Sequence, residues 1–291
     1  MLLYYKMNTL IICTLIVIFA LTLFLNPKET FEKTKFDCVI SINVHEKFPF
    51  LLKQLKNISE NISCDYAVIL NCNEYMLNEC KANELPPNVF YYEEPLHKER
   101  SHGSLAEGIY RNMNYAAQNF TFDYFIVASS RTMFDNNMTI DDLKKLESSE
   151  SAKKSDFTEE KYGTWCWPKF SSFLLFQHYK NNNLDMHSCA HEGTIFTKRA
   201  CDKIIEFLES HPDIKTETFN AGGCTNAGSI EEWALQTIAV NEGETFYNIG
   251  TGCCSEETIG HFGPGNDAFK FSYKVQREMN SSRNQFMRCA I

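Results

Sequence analysis

The amino-acid sequence predicts an α/β domain in which helices flank a mostly parallel β-sheet, preceded by a single N-terminal transmembrane helix. Short β-branched stretches alternate with amphipathic stretches between residues 38 and 240, the pattern of parallel strands joined by helical crossovers. Residues 9–25 form an uncharged apolar run that is long enough to cross a bilayer. The chain is 44% hydrophobic and contains 23 Phe, which permits one large hydrophobic core.

Hydrophobic periodicity places the individual elements along the chain. The predicted strands cover residues 38–44, 66–70, 89–92 and 122–128, and a further element begins at 194. The predicted helices cover residues 50–58, 104–118, 198–208 and 231–240. Residues 147–161 are polar and weakly periodic, so we expect a surface loop there.

The apolar run sets the predicted domain organisation. Residues 1–8 are a cytosolic tail, 9–25 a signal anchor, 26–36 a short stem and 37–291 a luminal domain. A cleaved signal peptide is the competing interpretation, but the run ends in Phe-Leu-Asn-Pro-Lys without a small-x-small cleavage site.

Glycosylation sequons and cysteines indicate that the larger part faces an oxidising lumen. Eleven of the 12 cysteines follow the apolar run, which is dense for a cytosolic domain. Their pairing cannot be read from the sequence. The sequons begin at Asn57, Asn61, Asn119, Asn137 and Asn280. We therefore expect a single-pass type II protein of the Golgi or endoplasmic reticulum membrane. The net charge of −9 argues against nucleic acid as a partner.

Polar residues follow three of the predicted strands. In open α/β sheets, ligands bind beyond the carboxyl ends of the strands, so these residues should line one crevice. Side chains of these types also cap helices and make turns, which is the simpler interpretation of any one of them. As a group they favour a nucleotide-sugar site. The residues are Asn43, His45, Asn71, Ser129, Ser130 and Arg131.

Four stretches make the chain similar to one glycosyltransferase family. It resembles the core-2/I-branching β-1,6-N-acetylglucosaminyltransferase and peptide O-xylosyltransferase family, whose members are Golgi enzymes of the GT-A type. The resemblance is carried by four segments. They are the Val-His strand end with its Leu-rich helix, the Ser-containing turn with a helix and a Tyr-Phe-Ile strand, the His-Glu-Gly-Thr segment, and the Ser-Ile-Glu-Glu segment. They occupy residues 40–58, 101–134, 191–208 and 229–237.

The resemblance implies a GT-A-like catalytic domain that transfers GlcNAc or xylose, with inversion, from a UDP-sugar to a hydroxyl of a glycan or glycoprotein. Such a reaction needs a carboxylate as general base, and the resemblance favours Glu232, with Glu231 as the neighbouring candidate. Ser229 and Glu232 also fit a capping box, which is a purely structural interpretation. The chain contains no Asp-x-Asp motif, and the family works without a metal, so we expect neither a metal nor another cofactor.

The resemblance also assigns the remaining candidate residues. Ser104 begins the helix after the Ser-containing turn and would contact the donor, while Glu192 and Gly193 would face the acceptor. Lys270 would meet the diphosphate, with Lys274 and Arg277 able to share its helical face, although a solvated basic face is the alternative. Trp165 and Trp167 could stack on an acceptor sugar or belong to the core.

Two other functional classes stay open from the sequence. The family has an Arg before its Cys-x-x-Gly stretch, whereas the comparable region of this chain, 248–254, has none. This departure favours an inactive luminal glycan-binding protein that kept the fold. A glycosidase is the second alternative, and it would require two facing carboxylates.

Overall fold

The computed structural model describes residues 33–44, 47–98, 102–130, 134, 137–147, 173–187, 191–222, 230–248, 260–261 and 270–271. The chain divides into units of residues 1–34 and 35–291, and nearly all described residues belong to the second. The predicted tail, the anchor at 9–25 and most of the stem lie outside the described residues, as does the loop at 148–161. Within the described ranges, no helix is both long enough and apolar enough to cross a bilayer.

A six-stranded mixed sheet forms the centre of the second unit, with strand order β3-β2-β1-β4-β5-β6. The strands β1, β2 and β3 run parallel, and the pairs β4–β5 and β5–β6 run antiparallel. The strands are β1 (Thr34–Asn43), β2 (Tyr66–Asn71), β3 (Val89–Tyr91), β4 (Phe120–Ser129), β5 (Thr194–Thr197) and β6 (Phe246–Asn248). A separate antiparallel pair joins β7 (Gly260–His261) to β8 (Lys270–Phe271). The α/β class with a mostly parallel sheet is confirmed.

The described helices pack on both faces of this sheet. They are α1 (Phe48–Asn61), α2 (Glu74–Ala82), α3 (Ser104–Asn119), α4 (Ile140–Glu147), α5 (Leu174–Asn181), α6 (Lys198–Ser210), α7 (Pro212–Asn220) and α8 (Ala234–Asn241). The periodicity correctly predicts α1, α3 and α6, and it misses α2, α4, α5 and α7 because these helices are short or only weakly amphipathic.

The helix predicted at 231–240 is wrong at its beginning. Ile230–Glu232 form a 3₁₀ turn, and α8 starts only at Ala234. Trp233 lies between them with φ −139°, which is outside the helical region. Its indole is fully buried and packs edge-to-face against Phe173 with ring centroids 6.3 Å apart. Tertiary packing of one large side chain therefore interrupts the helix.

Successive side chains of β1 lie on opposite faces of the sheet, and the hydrophobic core has one layer on each face. Val39 belongs to the layer under α3, α6 and α8, whereas Ile40 and Ile42 belong to the layer under α1 and α2. Both layers are built from fully buried aliphatic and aromatic side chains. The sheet is therefore covered on both faces, so that polar ligands can reach it only at its edges.

Candidate active site

The carboxyl ends of β1 and β2 lie side by side and carry the predicted asparagines. Asn43 and Asn71 are register partners, and both are buried. The Asn43 amide donates to the carbonyl of Leu105 at 2.9 Å, so it binds the first turn of α3 to the end of β1. Gly108 permits this close approach, because a Cβ there would lie 2.1 Å from the Asn43 oxygen. The two asparagines are at the predicted edge, and Asn43 also has a structural role.

A second helical contact fixes α3 over the strands. The buried Asn112 amide donates to the Ser41 hydroxyl and to the Ile69 carbonyl, each at 3.0 Å. Ser104, a predicted donor contact, is buried at the first position of α3. The start of α3 therefore lies at the carboxyl edge of β1.

Lys98 is a cation at this edge that the sequence did not reveal. Its ammonium donates to the Asn71 side-chain oxygen at 2.9 Å, to the Asn71 carbonyl at 3.0 Å and to the Leu96 carbonyl at 3.2 Å. Burial lowers the pKa of Lys98 to about 8. The Asn71 Nδ2 atom is buried without a hydrogen-bond partner among the described residues. Lys98 occupies a segment without periodicity, so only the fold brings it to β2.

Ser129 and Ser130 close the carboxyl end of β4, as predicted, and both are buried. The Gln54 amide of α1 donates to the Ser129 carbonyl at 2.7 Å. The turn before β5 brings Glu192 to the same place, because the Gly193 amide donates to the Val127 carbonyl at 2.8 Å. Gly193 has φ +78°, a conformation that favours glycine.

Two glutamates from the 3₁₀ turn complete a carboxylate cluster beside Glu192. His191 Nδ1 lies 3.4 Å from a Glu192 oxygen and 4.0 Å from a Glu231 oxygen. Glu231 is buried, and its Oε2 atom has no hydrogen-bond partner among the described residues, whereas Glu232 is only half-buried. The cluster is thus Glu192, Glu231 and Glu232, with His191 between the first two.

Buried groups on both sides hold the 3₁₀ turn in this position. Ile230 and Trp233 are fully buried. The Thr237 hydroxyl accepts from the His187 amide and donates to the His187 carbonyl, both at 2.9 Å. Since the residues around Glu232 are fixed in the core, its side chain is positioned by a rigid support.

Burial raises the pKa of Glu232 to about 8, and the negative charge of Glu192 adds to the rise. Burial also raises the pKa of Glu231 to about 8, with smaller contributions from the charges of Glu232 and Glu192. A carboxyl with a pKa near the working pH can both accept and release a proton, which is the property required of a general base. The cluster is therefore chemically suited to proton transfer.

Several predicted residues are not brought into this site by the described structure. His45, Arg131, Trp165, Trp167, Lys274 and Arg277 lie outside the described residues. Lys270 lies in β8, where only the backbone is described. His191 has no ligand spacing in the sequence that would single it out, but the structure places its Nδ1 atom 3.4 Å from a Glu192 oxygen and 4.0 Å from a Glu231 oxygen. Its position next to Glu192 in the chain was the available signal.

Among the described residues, no group of three or more His, Cys, Asp or Glu side chains is arranged to hold a metal ion. Comparison with known proteins gives no relative: no protein-family model and no curated protein matches the chain.

Proposed function

We propose that this protein is an inverting, metal-independent glycosyltransferase that moves GlcNAc or xylose from a UDP-sugar to a hydroxyl of a glycan or glycoprotein. The observation that carries the proposal is the half-buried Glu232 carboxyl, which lies on a rigid turn next to Glu192 at the carboxyl edge of the sheet. Ligands of open α/β sheets bind at that edge.

Glu232 rather than Glu231 is the better general base. Glu231 is 3% exposed, so an acceptor hydroxyl cannot reach its oxygens without displacing core side chains. Glu232 is partly accessible, and its raised pKa makes it a stronger base than an ordinary carboxylate. The charge of Glu192 raises the pKa of Glu232, and the buried Glu231 lies beside it in the same turn.

The proposed reaction is a single displacement. The Glu232 carboxylate takes the proton from the acceptor hydroxyl as its oxygen forms a bond to C1 of the sugar. The bond from C1 to the diphosphate oxygen breaks on the opposite face, and UDP leaves. Cationic side chains stabilise the departing charge. Among the described residues we assign this role to Lys98, whose ammonium lies at the carboxyl end of β2. The resemblance adds Lys270, and Lys274 and Arg277 follow it four and seven residues later.

The site also supports a second candidate, an inactive luminal glycan-binding protein. With a pKa of about 8, the partly accessible Glu232 is mostly protonated at neutral pH, and a protonated carboxyl can donate a hydrogen bond to a sugar hydroxyl. The two candidates differ in turnover.

Turnover can be measured on the full chain purified in detergent, by following UDP release from UDP-GlcNAc and from UDP-xylose. The glycosyltransferase proposal expects release that persists in EDTA. No release with either donor, together with binding of glycans, would establish the binding protein. Release that stops on chelation would overturn the metal-independent mechanism.

A further inference from the structure

Four cysteines of the sheet's β1–β2 side lie as two pairs, and the proposed reaction uses none of the four. We propose that Cys38–Cys64 and Cys72–Cys80 are two disulfide bonds that cross-link β1 to the start of β2, and the end of β2 to α2. The inference does not depend on the glycosyltransferase activity. It assigns a pairing that the sequence leaves open.

The first pair joins two adjacent strands. Cys38 is fully buried in β1, and its register partner Tyr66 follows Cys64 by two residues. The Cys38 amide also donates to the Asp65 carbonyl at 3.1 Å, which holds the two chain segments together. The two sulfur atoms are 3.6 Å apart. Disulfide formation requires them to approach by about 1.5 Å, which small side-chain rotations can supply.

The second pair joins a strand end to the following helix. Cys72 comes directly after β2 and is fully buried, and Cys80 lies in α2 with 2% exposure. The Asn73 side chain accepts from the Met76 amide at 2.9 Å and so fixes the start of α2 against the strand end. Both side chains belong to the same buried cluster, and they are near enough that Cys80 raises the pKa of Cys72 while Cys72 lowers that of Cys80.

The first pair contains one thiol prepared to react. A hydrogen bond from Cys38 lowers the pKa of Cys64, and Cys64 is also the more exposed of the two. Its thiolate attacks a sulfur of an oxidised small disulfide such as glutathione disulfide, forming a mixed disulfide and releasing one thiol. Cys38 then loses its proton and attacks the Cys64 sulfur, which releases the second thiol. Two protein thiols and one small disulfide thus give one protein disulfide and two small thiols.

Because the second pair is buried, its disulfide must form before folding is complete. Neither Cys72 nor Cys80 is open to solvent in the folded chain. The same exchange must therefore take place during folding, before α2 closes over the end of β2. This bond should consequently resist reductants that leave the protein folded.

Peptide mapping tests both bonds directly. The full chain is expressed in the secretory pathway of a cell, thiols are blocked with N-ethylmaleimide in denaturant, and glycans are removed enzymatically. Trypsin and Asp-N then place Cys38 in peptide 37–47, Cys64 in 57–64, and both Cys72 and Cys80 in 65–81. Cleavage of peptide 65–81 after glutamate, at Glu74 and Glu79, separates the last two cysteines into fragments 65–74 and 80–81.

The proposal expects peptide 37–47 linked to 57–64, and fragments 65–74 and 80–81 linked to each other, with both linkages lost on reduction. Cys201, a fully buried free thiol in α6, provides the matched control: Cys201→Ser should leave both linkages intact. The variant Cys64→Ser should lose only the first linkage. Blocked thiols at all four positions, or a linkage of Cys38 to Cys72 or Cys80, would overturn the proposal.

Discussion

Replacing Glu231 with Gln should flatten the pH dependence of folding stability between pH 4.5 and about pH 8. The buried carboxyl has a higher pKa in the folded protein than in the unfolded chain, so it keeps its proton longer when folded. Its contribution to the free energy of unfolding is therefore fully present below pH 4.5 and is lost as the pH rises to about 8. Gln has nearly the same shape and no proton to lose.

The magnitude follows from the pKa. A rise from 4.5 to about 8 corresponds to about 5 kcal/mol, at about 1.4 kcal/mol for each unit. Water that reaches the buried carboxyl reduces this value. We therefore expect the stability of the wild type to decline by about 2 to 5 kcal/mol more than that of the variant, in which Glu232 still titrates. The two proteins should be similarly stable at pH 5, and the variant should be the more stable at pH 8.

Urea unfolding at several pH values, followed by tryptophan fluorescence, to which the buried Trp233 contributes, measures this difference. Glu60→Gln is the matched control, because Glu60 is exposed on α1 and forms only a surface ion pair with Lys56. It should follow the wild-type curve. Parallel curves for Glu231→Gln and the wild type would show that Glu231 is ionised in the folded protein, and the reasoning would be refuted.

Three further predictions concern residues that line the candidate site or hold the turn of Glu231 and Glu232 in place. The kcat/KM for sugar transfer should rise with pH to about 8, as Glu232 loses its proton. Glu192→Gln should move this rise to lower pH, because the Glu192 charge raises the Glu232 pKa. A pH–rate profile that is the same in the variant and the wild type would contradict this prediction. Trp233→Ala should lower the unfolding free energy by about 3 to 5 kcal/mol in urea titrations, since the indole is fully buried; a loss below 1 kcal/mol would contradict this packing. Lys98→Met should weaken UDP binding by calorimetry with little change in fold by circular dichroism, and unchanged affinity would remove Lys98 from the donor site.

The elements could be predicted from the sequence where a long amphipathic or β-branched pattern exists. The helix at 104–118 and the strand at 122–128 are examples, and the structure extends the helix by one residue and the strand by three. The sequence missed the antiparallel direction of β5, because direction depends on how the chain returns after β4. Trp233 is a local example of a feature that the sequence pattern missed. The periodicity predicts a helix through this residue, but core packing interrupts the helix there.

The candidate site was predictable only in part for the same reason. Asn43, Asn71 and Ser129 could be expected at one edge because strand ends share an edge in a parallel sheet. The hydrogen bonds of these three residues could not be predicted, since their partners Leu105, Lys98 and Gln54 come from separate parts of the chain. The meeting of Glu192 with Glu231 likewise depends on the turn at Gly193, and no local pattern encodes that contact.

The central claim is that Glu232 accepts the acceptor proton, and one comparison tests it most directly. Transfer rate and UDP-sugar affinity are measured for wild type, Glu232→Gln and the surface control Glu60→Gln. We predict that Glu232→Gln binds the donor with nearly wild-type affinity and loses at least about 100-fold in transfer rate, as removal of a general base requires, while the control keeps both. Equal transfer rates in Glu232→Gln and the wild type would contradict the claim.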